Sequence, residues 1–389
     1  GATGLEVGTN DFRVSDMGPD GDPNFDASVP AVAYNAAQNE YLVVWSGDDN
    51  TGLLLDEENE IFAQRLAGAT GAQVGTNDFR LSDMGGDGVV TFDAEVPDVC
   101  YAQARNEYLV VWSGDDNTGV LVNGEFEIYG QRVNAVTGAE VGTNDFRISD
   151  MGPDGNDAYD AQDPGVAFAT TENRYLVVWS GDDNTTPLVE GEREIFGQLI
   201  DATTGLEAGT NDARLSSMGQ DGDPKWDART PSVGYSATQK EFLVTWAGDD
   251  KGGGLDAGEF EIFGQRISAS SGAQVGTDDF VMSEMGRPGF TNVGAAAPVV
   301  AVNNAAAEYM VIWHADQDTL GLVDDEFEVY GQRIRASNGN ELGTNDARYS
   351  DMGPDGDIDF DARSAHVAYN SLRNEYLVVW EGDDDTAPL

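Results

Sequence analysis

Six aspartates, Asp48, Asp115, Asp182, Asp249, Asp316 and Asp383, stand 67 residues apart along a chain of 389 residues. A second acid follows each of them (Asp49, Asp116, Asp183, Asp250, Asp384), except in the fifth copy, where Gln317 takes its place. Two glutamates come next, one residue apart: Glu58 with Glu60, Glu125 with Glu127, Glu192 with Glu194, Glu259 with Glu261, and Glu326 with Glu328. Side chains at i and i+2 of a strand point to one face, so each glutamate pair converges there. Converging carboxylates repel one another unless a cation or an arginine lies between them. Oxygen ligands without His or Cys favour calcium, which takes ~6 to 8 oxygens in irregular geometry. The competing reading is an ion pair with an arginine of the adjacent strand, such as Glu60 with Arg80. Against that as the whole explanation, the fourth copy has Val281 where the others have arginine.

A second acidic loop repeats with the first. Asp20, Asp22 and Asp26 recur as Asp87 and Asp93, as Asp154 and Asp160, as Asp221, Asp223 and Asp227, and as Asp355, Asp357 and Asp361. Oxygen ligands at alternate positions resemble half an EF-hand loop, but the glycine at its sixth position and its closing glutamate are missing. Aspartates that cap their own turns are the alternative. The fifth copy, from Arg287 to Gly294, has lost these acids.

Strands must position these loops. Within one repeat, apolar runs separated by turn residues predict strands at Ala31–Asn35, Tyr41–Ser46, Glu60–Leu66 and Phe79–Ser82. No segment has helical period. Six such units predict an all-β, six-bladed β-propeller of four-stranded antiparallel blades, a single domain over residues 1–389, with a β-solenoid as the other option. In an up-and-down blade the two acidic loops emerge on the same side. Six full repeats exceed the chain, so the last blade is expected to lack its third strand. Either a longer chain or a neighbouring molecule would then supply it. Trp45, Trp112, Trp179, Trp246, Trp313 and Trp380 end the second strand of each copy and read as core; Trp226, matched by Phe25, Phe92, Tyr159 and Phe360, reads as a loop anchor.

A net charge of -51, from 71 acidic and 20 basic residues, excludes nucleic acid as a natural partner. Cations, basic surfaces, glycans or further copies of the chain remain. The lone Cys100 excludes an intrachain disulfide, and no apolar run approaches the ~20 residues that span a bilayer. Gly1 begins in mid-repeat without a signal peptide, as a mature or excised fragment would.

The motif Asn106–Trp112 followed by Glu127–Arg132 resembles a repeat of secreted, multidomain bacterial proteins thought to be β-propellers. The resemblance covers essentially the whole chain and implies an extracellular location and repeat architecture, without an assigned activity. The third copy departs with Leu199 for arginine and the fifth with Met310, Ile312 and His314. Because the acids are spread evenly by the repeat, the expected function is a calcium-binding, secreted propeller with a structural, adhesion or assembly role and no enzymatic activity. A lectin-like propeller is the alternative, followed by a glycoside-active enzyme. For an enzyme, the divergent fifth repeat with Arg287 and His314 is where a site would lie, since catalysis needs asymmetry.

Overall fold

Apolar residues on both faces of consecutive segments force those segments to be covered on both sides, and the structure does this with stacked sheets. A computed structural model describes residues 11–250, 255–285, 294–317, 322–323 and 325–383. Among the described residues there are 22 strands and no helix. The first sheet is β1 (Ala27–Asn35), β2 (Glu40–Gly47), β3 (Glu60–Ala67) and β4 (Gln73–Arg80), antiparallel and in sequence order. The second is β5 (Ala94–Ala102), β6 (Glu107–Asp115), β7 (Phe126–Asn134) and β8 (Glu140–Arg147); the third is β9 (Ala161–Ala169), β10 (Arg174–Asp182), β11 (Arg193–Asp201) and β12 (Glu207–Arg214). The fourth comprises β13 (Ala228–Ser236), β14 (Glu241–Gly248), β15 (Glu261–Ser268) and β16 (Gln274–Val281). The fifth comprises β17 (Gly294–Asn303), β18 (Glu308–Asp316), β19 (Phe327–Arg335) and β20 (Glu341–Arg348). Among the described residues the sixth sheet has two strands, β21 (Ala362–Asn370) and β22 (Glu375–Gly382), one fewer than a blade lacking only its third strand would have.

Two strand boundaries differ from the expected ones, for one physical reason. β1 starts at Ala27, ahead of the expected Ala31, across a bulge between Ser28 and Ala31 where Val29 has φ 45°. Pro30 has no N–H to give the ladder, and an extra residue lets the strand pass it. Likewise β4 runs from Gln73 to Arg80, sharing only Phe79 and Arg80 with the expected Phe79–Ser82, and bulges near Asp78 (φ 42°), whose N–H is taken by the Gln64 side chain at 3.1 Å. Bulges break the alternation of apolar residues, so the pattern alone sees only the regular half of each strand.

First strands pack on first strands down the chain, β1 on β5, β5 on β9, β9 on β13, β13 on β17 and β17 on β21. Each hydrophobic core lies between consecutive sheets: Leu42 and Val44 meet Val99, Tyr108 and Val110, and the same set recurs one repeat later. Trp112, Trp179 and Trp246 are fully buried and stack on Tyr129, Phe196 and Phe263 with centroids 6.3 to 6.5 Å apart. Gly114 explains two motifs at once. A Cβ there would sit 2.8 Å from Met84 Sδ and 2.7 Å from the Tyr129 ring, so Trp-Ser-Gly and Asp-Met-Gly are two halves of one contact.

Candidate functional site

The repeated acids sit at one end of every sheet, where they pin the two loops together. The first aspartate of each copy reaches across its own loop: Asp48 accepts the N–H of Glu57 (2.9 Å), Asp115 that of Gly124 (2.7 Å), Asp182 that of Gly191 (2.6 Å), Asp249 that of Gly258 (2.7 Å) and Asp316 that of Asp325 (2.7 Å). In the sixth copy Asp383 accepts from Asp361 at 3.0 Å, and Asp384 lies outside the described residues. The second aspartate holds the glycine of the other loop: Asp49 with Gly18, Asp116 with Gly85, Asp183 with Gly152 and Asp250 with Gly219, at 2.9 to 3.2 Å.

The glutamates do the same from the strand side. Glu58, Glu125, Glu192 and Glu326 each accept the N–H of a glycine in the next loop (Gly88, Gly155, Gly222, Gly356) at 2.9 Å, while Glu259 accepts from Asp256 at 3.0 Å. Glu60, Glu127, Glu194, Glu261 and Glu328 are buried and bind the hydroxyl of Ser82, Ser149, Ser216, Ser283 and Ser350. Each also accepts a backbone N–H, as Glu261 does from Met285 at 2.7 Å. Burial pushes Glu60, Glu127 and Glu261 up to about 8 and Glu194 to about 7, with serine and, where present, arginine partly opposing it.

The positive charge between these acids is the protein's own arginine. Arg80 lies between Glu60 (3.8 Å) and Asp87 (2.7 Å), Arg147 between Glu127 (3.3 Å) and Asp154 (2.9 Å), Arg214 between Glu194 and Asp221, and Arg348 between Glu328 and Asp355. In the first copy Asp20 pairs with Arg13. The one group of three carboxylates found to converge among the described residues, Glu192, Glu194 and Asp221, contains two partners of Arg214. Where Val281 replaces the arginine, Glu261 is held by Ser283 and Met285, and its raised pKa keeps it protonated near neutrality.

The remaining loop acids act locally or reach the neighbouring sheet. Asp22 and Asp357 accept N–H groups two residues on at 3.2 Å, which is the turn-capping reading, and Asp223 lies 3.7 Å from Lys225. Asp93 accepts the N–H of Asn59 (3.1 Å), Asp361 that of Phe327 (2.9 Å), Asp160 binds Arg193 and Asp227 binds Arg229. The N–H of Asp26 bonds to Asp48 at 2.8 Å. Trp226 is buried against Gly219, as a loop anchor.

The repeat breaks in the fifth copy, and a cleft opens there. Gly294 stands where the other copies have Asp26, Asp93, Asp160, Asp227 and Asp361. A Cβ on it would lie 3.4 Å from the Phe260 carbonyl and 3.6 Å from its nitrogen, the place the aspartate occupies over Asn59 and Phe327 in other sheets. Without that side chain a cleft of about 300 Å³ remains between the fourth and fifth sheets, lined by Arg229, Thr230, Phe260, Ala296, Asp316 and Phe327 among others. The Arg229 guanidinium lies 4.9 Å from the Phe260 ring, and Arg363 lies 3.6 Å from Phe327. His314 meets Phe327 edge-on at 6.0 Å, and burial lowers its pKa to about 4, so it is neutral. Sequence reasoning pointed to this copy but missed Arg229, Phe260 and Phe327. The signal was the single glycine among six aligned positions. Arg287 lies outside the described residues. A further acid, Asp98, also escapes the repeat: half-buried on β5, it accepts the N–H of Val166 on β9 at 2.8 Å, and desolvation raises it to about 6.

No family model matches the chain, and no curated protein matches it. Solved structures of similar fold include a GH43_12 protein retrieved from a capybara gut metagenome (12% identity, TM-score 0.46), of which the chain spans 55% while 84% of the chain is covered. Others are an α-L-arabinofuranosidase from Lactobacillus brevis (12%, 85% of this chain and 98% of that one, TM-score 0.44) and an endo-1,5-α-L-arabinanase from Thermotoga petrophila (13%, 85% and 74%, TM-score 0.42). The likeness is one of all-β architecture. Two expectations are corrected here. A secreted calcium-binding propeller with a structural or adhesion role is not kept, because the acids assigned to calcium are held by backbone N–H groups, serines and arginines. The expectation of no enzymatic activity falls with it. Among the described residues no helix is long and apolar enough to cross a membrane.

Proposed function

We propose that this protein is carbohydrate-active and binds a saccharide in the cleft between the fourth and fifth sheets, where it acts on a glycosidic bond. The observation that carries this reading is the loss of an aspartate at Gly294, which leaves an apolar cleft with a few polar groups at the one copy of six without that acid. The CH faces of a sugar suit the rings of Phe260 and Phe327, while its hydroxyl or carboxyl groups take the place of the missing aspartate beside Arg229. Asp316 on the wall and Asp227 beside Arg229 are the carboxyl groups on which hydrolysis would draw.

The sheets are read as blades of a propeller-type array that is open between the first and the last. Resemblance of the repeat to secreted bacterial propellers supports an extracellular setting. The test is turnover and binding on a panel of arabinan, β-1,3-galactan and uronate-containing polymers, with Arg229→Ala alongside. Sugar release or binding that Arg229→Ala weakens at least about tenfold supports the reading. Absence of binding and release across the panel would count against it.

A further inference from the structure

The repeat supplies its own control for exposure, because the same residue type occurs at the same position in buried and in terminal sheets. Val32 and Tyr41 share one face of the first sheet, being directly cross-strand to Val43 and Tyr34. They are 61% and 39% exposed, whereas their equivalents one repeat on, Val99 and Tyr108, are 6% and 0% exposed. At the other end Leu377 and Val379 lie on the opposite kind of face and are 65% and 51% exposed, against 0% for both Leu42 and Val44. Inside the chain these two faces meet: Leu42 and Val44 pack on Val99, Tyr108 and Val110. The free face of the last sheet is therefore one half of an internal interface, and the free face of the first sheet is the other half.

We infer that the partner of these faces is a second copy of this chain, docked head to tail with Leu377 and Val379 of one molecule against Val32 and Tyr41 of the next. The argument is continuity with an established interface, since first strands pack sheet to sheet five times within the chain and the contact of Leu42 and Val44 with Val99, Tyr108 and Val110 recurs one repeat on as Leu109 and Val111 with Val166, Tyr175 and Val177. Stacked repeats are soluble as single molecules when their end faces are polar, and these expose Val32 and Tyr41 at one end and Leu377 and Val379 at the other, with Glu381 replacing the serine of the first three sheets on the last face. Because the two halves differ, the contact is heterologous and leaves one free face at each end of a dimer, so it propagates. The net charge of -51 opposes association, so salt promotes it.

The test is sedimentation equilibrium of the chain over a range of concentrations at about 1 M salt, where the screening length is about 3 Å. Wild type is expected to gain mass with concentration. Val32→Asp and Leu377→Asp each put a charge into one half of the interface, and both positions are exposed, so circular dichroism should report intact sheets. Each variant alone should associate at least about tenfold more weakly than wild type. An equimolar mixture should form dimers and stop there, because each variant keeps the half that the other has lost. A wild-type mass that stays monomeric at every concentration would overturn the inference, as closure of the two faces within one chain would produce. So would variants that associate as well as wild type.

Discussion

Glu261 shows what the repeated acids do when their arginine is taken away. Its neighbours are Ser283 and the Met285 N–H, and Ser283 Oγ also accepts the N–H of Ile262 at 2.7 Å. All are buried, so each hydrogen bond removed leaves a polar group without water. Ser283→Ala is expected to cost about 1 to 3 kcal/mol in urea unfolding, because it strands both the Ile262 N–H and the glutamate. That the glutamates form a spaced pair was legible from their recurrence. Their partners were not, since backbone N–H groups carry no letter in a sequence. The ion pair of Glu60 with Arg80, weighed there as the competing reading, is present at 3.8 Å, with Asp87 as the nearer partner of that arginine.

At the scale of elements, the loops are ordered by aromatic residues lying over glycines. Gly219 has φ 65°, and a Cβ on it would fall 2.1 Å from the Trp226 ring; Gly152 stands in the same relation to Tyr159. A left-handed conformation and a ring overhead both demand glycine. Gly219→Ala should therefore destabilise by more than about 2 kcal/mol, read from the urea midpoint, whereas alanine at the open Gly21, which shares the positive φ without the ring, should cost about 1 kcal/mol. The loop aromatics and the four strands per repeat could be read in advance because turn residues and apolar runs recur together. The halves of β1 and β4 beyond their bulges could not, because a bulge shifts the alternation. The cleft was hidden for a related reason: Phe260 and Gly294 are brought together between sheets, where no local pattern reaches.

For the whole molecule, burial of so many carboxyl groups sets the sign of the pH dependence. Glu60, Glu127 and Glu261 are raised from 4.5 to about 8 and Glu194 to about 7, so the folded state holds protons that the unfolded chain releases. Their contribution is fully present below about pH 4.5 and is lost as pH rises through 7 to 8. Repulsion within a chain of net charge -51 acts in the same direction. The urea midpoint should accordingly be higher at pH 5 than at pH 8.5, the reverse of ordinary acid denaturation. The repeat made the array of sheets legible, since an unbroken 67-residue period admits few folds. The proposed site lies where one copy, at Gly294, lacks the loop aspartate that the other five carry. The most direct measurement is therefore calorimetric titration and product analysis with the polysaccharide panel on wild type and on Gly294→Asp, which restores the acid found in the other copies. We predict binding or sugar release by wild type and its loss, with unchanged thermal stability, in Gly294→Asp. Equal binding and turnover by the two proteins would contradict the placement of the site in this cleft.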